Sequence, residues 1–362
     1  IKKLVREGHI AYFAGGWVRD YLMGHPSSDI DIATDAPPQK ILDLFSHTIP
    51  VGLAFGVVIV VIDGHPFEVS TFRRDIAYID GRYPNRIELS SPEEDAIRRD
   101  FTINGMFYDP LEDKVYDYVH GQEDIKKGVI RTIGDPGERF FEDRLRMIRA
   151  IRFAARFGFY IDPDTQQGII ENAETLFPAV AMERVWQEFN KMAKAPRFDM
   201  ALIEMHRLGL LQVIFPALGK VHLHDIKRRV TTFAHMPADT PTIVYLMELF
   251  PEASLNELLD LCLYLKISTY EAKTMEFVFQ NKKQVVDIES LDKVACVYFY
   301  AHPHSKLCID MVAAQYEPSK RRQFLEHHSQ KRTSLNGHVQ RIIEKKPLVH
   351  GALLMKHGIP SG

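Results

Sequence analysis

The first third of the chain alternates short apolar segments with glycine and proline turns. Apolar runs at residues 12–14 and 56–62 predict buried strands. Asp63-Gly64 is a typical hairpin turn, so the segment 67–72 is expected to return beside the second of these strands. Helical patterns separate the strands, at residues 17–23 and 37–45. Up to about residue 118 the pattern therefore predicts a small mixed sheet with helices packed on it.

From Gly137 onward the spacing of the apolar residues changes to the three-to-four-residue period of amphipathic helices. Glycine and proline fall mainly between these segments. The proline-containing breaks lie near residues 196, 216–219, 237–241 and 318. We therefore expect an α/β N-terminal domain followed by an all-α remainder.

Composition narrows the functional classes without choosing among them. With 362 residues, of which 46% are hydrophobic, the chain has enough material for two or more domains. A net charge of −3 argues against a uniformly basic surface, so a nucleic-acid contact would have to be local. The three cysteines lack the paired spacings of zinc sites or disulfide frameworks, which favours a reducing cytoplasm. No apolar run approaches the roughly 18 residues of a membrane span, so we expect no membrane contact.

Candidate chemistry is concentrated near the N-terminus. A glycine pair, Gly15-Gly16, opens the helical segment that carries Arg19, and Asp29 and Asp31 follow on a predicted strand at 29–33. Residues two apart on a strand point to the same face, so both carboxylates would be directed at one spot. One or two carboxylates suit Mg²⁺, which keeps other positions for water and substrate phosphates. This pattern predicts phosphoryl or nucleotidyl transfer from a metal-bound nucleoside triphosphate.

A second cluster follows a strong helix start. Ser91 is a predicted helix N-cap, because a proline and two acidic residues follow it directly. The helix that it opens is expected to end in the basic and amide residues at 98–104. Arg98 and Arg99, at the end of that helix beside Asn104, are suited to hold a triphosphate and a ribose. A lone glycine pair, or a lone pair of aspartates, is more often structural, and it is the ordered combination that indicates function.

Two further charged helices carry alternatives that the sequence leaves open. Asp143 and Arg146 fall opposite an apolar helix face, either as a surface ion pair or as a functional pair. Arg149 and Arg152 are either structural ties or nucleotide contacts. Downstream, four charged residues are either interhelix salt bridges or functional groups: Glu183, Arg184, Glu188 and Lys191.

The order of these motifs, GGxVRD, DxD, RRDFTxN, EDxxR and ERxxxExxK, resembles the class II tRNA nucleotidyltransferases and the bacterial poly(A) polymerases. Both belong to the polymerase-beta-like nucleotidyltransferase superfamily. The resemblance runs from residue 11 to about residue 192 and is weaker beyond. It implies a catalytic head, a neck that recognises the base, a body and a partial tail that binds RNA, which we assign to residues 1–136, 137–196, 197–317 and 318–362.

The resemblance also implies roles for matching positions. Asp29 and Asp31 resemble the carboxylates that bind two Mg²⁺ ions, and Glu68 is a third carboxylate or merely lines its strand. The remaining nucleotide-binding positions are Gly15, Gly16, Arg19, Arg99, Asp100, Asn104, Asp143, Arg146, Arg149 and Arg152. Arg184, Glu188 and Lys191 are expected to support the neck.

Asp143 and Arg146 resemble the pair that reads the base. An ionised aspartate accepts from the exocyclic amine that cytosine and adenine share, and an arginine donates to a ring nitrogen that is an acceptor in both. At the same positions uracil and guanine carry a carbonyl acceptor and a ring N–H donor, which is the opposite pattern. Protein alone can therefore select C and A without a nucleic-acid template.

Residues 75–86 are neither apolar nor periodic, so we expect a mobile loop. In the resembled family a flexible loop at this place helps to change nucleotide choice. The alternative is an ordinary surface loop.

We therefore expect an enzyme that adds CCA to the tRNA 3′ end from CTP and ATP. The alternatives are a poly(A) polymerase, a CC-only or A-only enzyme, and a non-catalytic RNA-binding protein on this fold, which the presence of Asp29, Asp31 and Arg99 disfavours. The absence of a long basic extension from this sequence favours tRNA over poly(A) synthesis. Basic residues near the C-terminus are either RNA-backbone contacts or solvated helix faces: Lys320, Arg321, Arg322, Lys331, Arg332, Arg341, Lys345 and Lys346. The oligomeric state is left open.

Overall fold

The computed structural model describes residues 1–25, 27–78, 84–346, 349 and 351–358. These residues form two compact units, Ile1–Leu223 and His224–Gly362. The division into head, neck, body and tail remains a prediction, since the two units do not test its boundaries. All of the candidate site residues lie in the first unit.

The first unit contains a mixed seven-stranded sheet, as predicted. The strands of the unit are β1 (Ala11–Ala14), β2 (Asp31–Thr34), β3 (Thr48–Gly52), β4 (Val57–Ile62), β5 (His65–Thr71), β6 (Arg73–Tyr78), β7 (Pro84–Leu89), β8 (Met106–Asp109), β9 (Lys114–Asp117), β10 (Val129–Ile130) and β11 (Tyr160–Ile161). The large sheet has the order β3-β4-β5-β2-β1-β8-β9, in which only the β2–β5 pair is parallel. The predicted β4–β5 hairpin is confirmed.

The register of the central strands brings the glycine turn and the aspartates together. Ala14, the last residue of β1, pairs with Asp31, the first residue of β2. The turn that follows β1 therefore lies beside the start of β2. On the other side of β2, Asp31 is in register with Glu68 of β5. Apolar side chains of these strands, such as Val58 and Val69, are buried and anchor the arrangement.

The prediction of a loop at residues 75–86 is wrong for those residues of the segment that the structure describes. Strands β6 and β7 pair antiparallel as a separate two-stranded ribbon, and residues 79–83 lie outside the described part of the chain. Arg74 and Glu88 are directly opposite each other and form an ion pair of 2.7 Å. Such a cross-strand ion pair stabilises a ribbon through polar contacts, which a search for apolar periodicity does not detect.

The first unit also contains twelve described α-helices. They are α1 (Lys2–Arg6), α2 (Gly16–Leu22), α3 (Pro38–Leu44), α4 (Pro92–Ile97), α5 (Gly121–Lys127), α6 (Pro136–Glu142), α7 (Leu145–Phe157), α8 (Pro163–Asn172), α9 (Leu176–Ala179), α10 (Met182–Ala193), α11 (Phe198–Arg207) and α12 (Leu210–Ile214). Ser91 caps α4 as expected, since its side chain accepts from the Glu94 N–H at 3.3 Å. The capped helix ends earlier than predicted, and a separate 3₁₀ turn follows at Thr102–Asn104.

Among the described residues of the second unit, the regular elements are all helices, as predicted. Its helices are α13 (Leu223–Val230, which begins at the unit boundary), α14 (Thr242–Met247), α15 (Leu255–Tyr264), α16 (Thr269–Val286), α17 (Lys293–Ala301), α18 (Ser305–Ala314), α19 (Pro318–Ser334), α20 (Asn336–Ile343) and α21 (Gly351–Lys356). A buried histidine ties three of them, because His328 bonds Tyr300 Oη at 2.9 Å and the Val285 carbonyl at 3.0 Å. Of the described helices, none has the length and hydropathy to cross a bilayer.

Candidate active site

The structure brings most of the predicted site residues into one open cleft of about 550 Å³ in the first unit. Its lining combines eight arginines and four aspartates, so the wall carries an excess of positive charge. The lining residues are Gly15, Gly16, Arg19, Asp29, Asp31, Arg98, Arg99, Asp100, Asn104, Asp143, Leu145, Arg146, Arg149, Arg152, Phe153, Arg156 and Arg184. The planar guanidinium group of arginine can form two parallel hydrogen bonds to phosphate oxygens. A cleft of this charge is therefore suited to a polyanion such as a triphosphate.

The glycine turn needs glycine at its first position for two reasons. Gly15 has a φ of +64°, which side-chain-bearing residues rarely adopt. A Cβ at this position would also lie 2.9 Å from Nη1 of Arg99, which is too close. The backbone N–H of Gly15 donates to the Met106 carbonyl at 3.2 Å, which ties the turn to β8.

The carboxylates lie at the start of β2, although the predicted strand began two residues too early. Strand β2 starts at Asp31, and Asp29 precedes it as an exposed residue, so strand alternation does not explain their proximity. Burial, the neighbouring Glu68 and the neighbouring Asp29 raise the pKa of Asp31 to about 6. A bound cation would relieve the repulsion between these carboxylates. The carboxylate oxygens of Asp29 and Asp31 therefore fit a hard metal ion such as Mg²⁺. Within the described residues, no group of three or more potential ligand side chains is already converged on a metal position.

Asp100 is the centre of a buried network. Its Oδ2 accepts from Arg149 Nε at 2.9 Å, and its Oδ1 accepts from the Asn104 amide at 3.0 Å and from the Phe101 N–H at 2.8 Å. The Asn104 oxygen in turn accepts from Arg19. Burial raises the pKa of Asp100, but Arg149 and the Asn104 bond outweigh it, and the pKa falls to about 2.

Arg19 is packed as well as hydrogen-bonded. It is 4% exposed, and its Nε donates to Asp20 at 2.8 Å. Its guanidinium also lies over the ring of Phe157, 4.7 Å from the centroid. Because Asp20 additionally faces Arg156 of α7 at 3.6 Å, these contacts connect α2 to the arginine-bearing face of α7.

Asp143 and Arg146 do not lie on one continuous helix, which corrects the sequence interpretation. Asp143 is the C-cap of α6, where the backbone is extended, and α7 begins at Leu145. The two side chains have different ion-pair partners. Asp143 accepts from Arg184 at 2.9 Å, whereas Arg146 donates to Glu142 at 2.6 Å. The amphipathic pattern could not reveal this break, because an interruption of only two residues, Asp143 and Arg144, leaves the spacing of the apolar residues unchanged.

The charged residues of α10 divide between the cleft and the protein interior. Arg184 lines the cleft. Glu188 is 2% exposed, and it accepts from Arg152 at 2.6 Å and from Lys191 at 3.2 Å. Glu188 therefore forms an interhelix salt bridge with Arg152 of α7, whereas Lys191 pairs with Glu188 within α10. Neither of these two residues, nor Glu68, is among the lining residues of the cleft.

Two residues of this region were not selected from the sequence. Arg156 lines the cleft, and buried Asp95 accepts from both Arg98 and Arg99. A signal existed for each. Asp95 precedes the two arginines by three and four residues on a helix, and Arg156 continues the stripe of Arg149 and Arg152 along α7.

Two segments of the chain match known protein families. Residues 11–131 match the family described as the poly A polymerase head domain. Residues 158–220 match the family described as the probable RNA and SrmB-binding site of polymerase A.

Curated relatives carry the name CCA-adding enzyme. The protein of that name from Anoxybacillus flavithermus is 44% identical over 240 residues, which are 66% of this chain and 59% of the relative. The one from Bacillus subtilis is 43% identical over 203 residues, 56% of this chain and 51% of the relative. The matched part of the chain thus spans about half to three fifths of the length of these relatives.

Solved structures of the same kind share the fold. The Bacillus stearothermophilus CCA-adding enzyme in complex with CTP superposes with a TM-score of 0.81 at 28% identity, covering 100% of this chain and 87% of the other. The Thermotoga maritima CCA-adding enzyme complexed with tRNA_CCA gives a TM-score of 0.69 at 20% identity, covering 100% and 85%. The second likeness concerns the fold alone.

The Asp31 environment leads to a stability prediction for the metal-free protein. The pKa of Asp31 is about 6 in the folded protein and about 3.9 in the unfolded chain. The free energy of unfolding should therefore fall as the pH rises from about 4 to 6. Asp31→Asn removes the charge and should stabilise the protein at pH 7.5 by about 1 to 2 kcal/mol, allowing for its partial exposure. Urea unfolding in EDTA measures this, and most of the gain should be absent at pH 4.5. The exposed control Asp164→Asn should give no gain; a less stable Asp31→Asn at pH 7.5 would contradict the account.

Proposed function

We propose that this chain, which belongs to the family of class II tRNA nucleotidyltransferases and bacterial poly(A) polymerases, adds C and A to the 3′ end of tRNA from CTP and ATP. The single observation that carries the proposal is the cleft. It joins an acidic pair, Asp29 and Asp31, to a wall rich in arginines within a head-domain fold. The named relatives support the choice of reaction, since CCA-adding enzymes are 43–44% identical to part of this chain.

In the proposed reaction, the 3′ oxygen of the RNA attacks the α-phosphorus of the nucleotide, and pyrophosphate leaves. Asp29 and Asp31 would hold Mg²⁺, which when bound lowers the pKa of the attacking hydroxyl and neutralises charge on the triphosphate. Glu68, in register with Asp31, adds negative charge beside that position. Arg99, beside the glycine turn, would orient the phosphates through the N–H groups that Asp95 leaves free. The buried Arg19, already bonded to Asp20 and Asn104, would add positive charge.

We propose that Asp143 and Arg146 read the base. Asp143 Oδ1 accepts from the Leu145 N–H at 3.1 Å and Oδ2 accepts from Arg184 at 2.9 Å. Each carboxylate oxygen has a further lone pair, so Asp143 can still accept from the exocyclic amine of C or A. Arg184 would then act as the support that fixes the orientation of this carboxylate, and the Glu142 ion pair would do the same for Arg146.

The other candidate functions are less well supported. A non-catalytic RNA-binding protein would have no need for a carboxylate whose pKa is raised by burial and by the neighbouring Glu68 and Asp29. A poly(A) polymerase shares the same head family, so only its products separate it from the proposed activity. The buried free thiols Cys262, Cys296 and Cys308 fit the proposed cytoplasmic location.

The products on defined RNAs test the proposal. With a tRNA that lacks its CCA end, CTP alone should add two C residues, and CTP with ATP should add CCA and then stop. Sequencing of the 3′ ends measures this, with an unstructured RNA and the variant Asp31→Ala as controls. Long A tails on the unstructured RNA without CTP, formed at rates equal to those on tRNA, would instead identify a poly(A) polymerase.

Loss of the Asp143 carboxylate should relax base choice. Asp143→Ala removes a charge-assisted hydrogen bond worth about 1.5 to 3 kcal/mol, so discrimination against UTP and GTP should fall about 10- to 100-fold. Competition among all four triphosphates measures the change. Asp164→Ala, which removes an exposed carboxylate from α8, should leave selectivity unaltered. If Asp143→Ala lowers stability but keeps the wild-type selectivity, the residue has only a structural role.

A further inference from the structure

Asp95 is a buried carboxylate that stands behind the cleft rather than in its wall. It lies on α4 and is 1% exposed. An ionised group at this depth requires several partners, because its desolvation must be offset. The donors that bind it come from two segments, the arginine pair that follows α4 and the first residue of β6.

The two arginines bind the carboxylate side by side. Arg98 donates to Oδ1 through Nη2 at 2.7 Å and Nε at 2.9 Å. Arg99 donates to Oδ2 through Nη2 at 3.1 Å and Nε at 3.2 Å. Each carboxylate oxygen therefore holds one guanidinium edge, which fixes the rotation of both side chains.

The orientation of the carboxylate is itself set by the backbone. The Arg73 N–H donates to Oδ1 of Asp95 at 3.2 Å, from the start of the β6–β7 ribbon. Burial opposes the ionised form, yet Arg99, Arg98 and the Arg73 N–H lower the pKa of Asp95 below its usual range. The carboxylate thus remains charged at neutral pH and keeps both arginines in place.

The arginines present their remaining surface to the cleft. The side chains of Arg98 and Arg99 are 20% and 18% exposed, and both line the cleft. Nη1 of Arg99 lies against the Gly15 turn, and its guanidinium lies over the Phe107 ring at 5.0 Å. The Arg98 carbonyl accepts from Arg146 at 3.3 Å, which links the pair to the proposed base-reading residue.

We infer that Asp95 is a positioning residue that holds Arg98 and Arg99 toward the β- and γ-phosphates of the bound nucleotide. The inference rests on the proposed function, because it requires the cleft to accept a nucleoside triphosphate. Asp95 itself does not touch the nucleotide. Arg146 is bound by the backbone carbonyl of Arg98 and not by its guanidinium, so loss of Asp95 affects the triphosphate part of the ligand selectively and leaves recognition of the base unchanged.

The test compares ligands that differ only in their phosphates. Equilibrium binding of CTP and of CMP, each with Mg²⁺ and without RNA, is measured for the wild type and for Asp95→Asn. Misoriented guanidinium groups should weaken CTP binding about tenfold, while CMP binding changes less than about twofold. A general loss of folding would weaken both ligands alike, so the ratio of the two affinities isolates positioning from stability.

A matched control distinguishes this role from the loss of any buried aspartate. Asp162 is 6% exposed and pairs with Arg131, which is absent from the cleft lining. Asp162→Asn should lower the thermal midpoint but keep the wild-type ratio of CTP to CMP affinity. In a protein that already carries Arg98→Gln and Arg99→Gln, Asp95→Asn should have no further effect on that ratio.

The outcomes separate the inference from the proposed function. If the wild type binds CTP and folded Asp95→Asn keeps the wild-type affinity ratio, the inference is overturned and the proposed function stands. If the wild type does not bind CTP, both fail. Should Asp95→Asn not fold, Asp95→Glu decides, since it keeps the charge but displaces the arginines by one methylene. It should lower the ratio at least about threefold, and an unchanged ratio would overturn the inference.

Discussion

The interaction on which the rest of the cleft depends is the buried Asp100–Arg149 ion pair. Through Asn104 it continues to Arg19, so one chain of hydrogen bonds joins α7, the 3₁₀ turn and α2. Without the carboxylate, the positive charges on these elements would repel one another across a narrow space. The network therefore allows an arginine-rich wall to be built and to stay in one arrangement before any ligand arrives.

Two aspartates in this cleft show opposite electrostatics. Asp100 is surrounded by donors, which lower its pKa to about 2 and make it a permanent counter-charge. Burial, together with the neighbouring Glu68 and Asp29, raises the pKa of Asp31 to about 6. The first arrangement stabilises the protein, whereas the second costs stability that a bound cation recovers. The cleft thus separates a positive wall, suited to phosphates, from a negative corner, suited to metal.

Sequence patterns identified the elements that are determined by residues close to one another in the sequence. The β4–β5 hairpin and the Ser91 cap follow from neighbouring residues, and the structure confirms both. What depends on distant partners could not be read in the same way. The β6–β7 ribbon is stabilised by cross-strand pairs, and Asp143 finds its partner, Arg184, 41 residues away. The residue types of the site were therefore predictable, while their pairings were not.

The most direct test of this account is the pH dependence of unfolding for the wild type and Asp100→Asn. Above the unfolded pKa of about 3.9, the ionised Asp100 should contribute about 2 to 3 kcal/mol, so the variant should be less stable by a constant amount between pH 5 and 8. The difference should shrink as pH falls from 4 toward 2, where the folded carboxyl takes up its proton. Urea unfolding across this range gives the result; equal stability of the two proteins at pH 7 would contradict the central role of the Asp100 network.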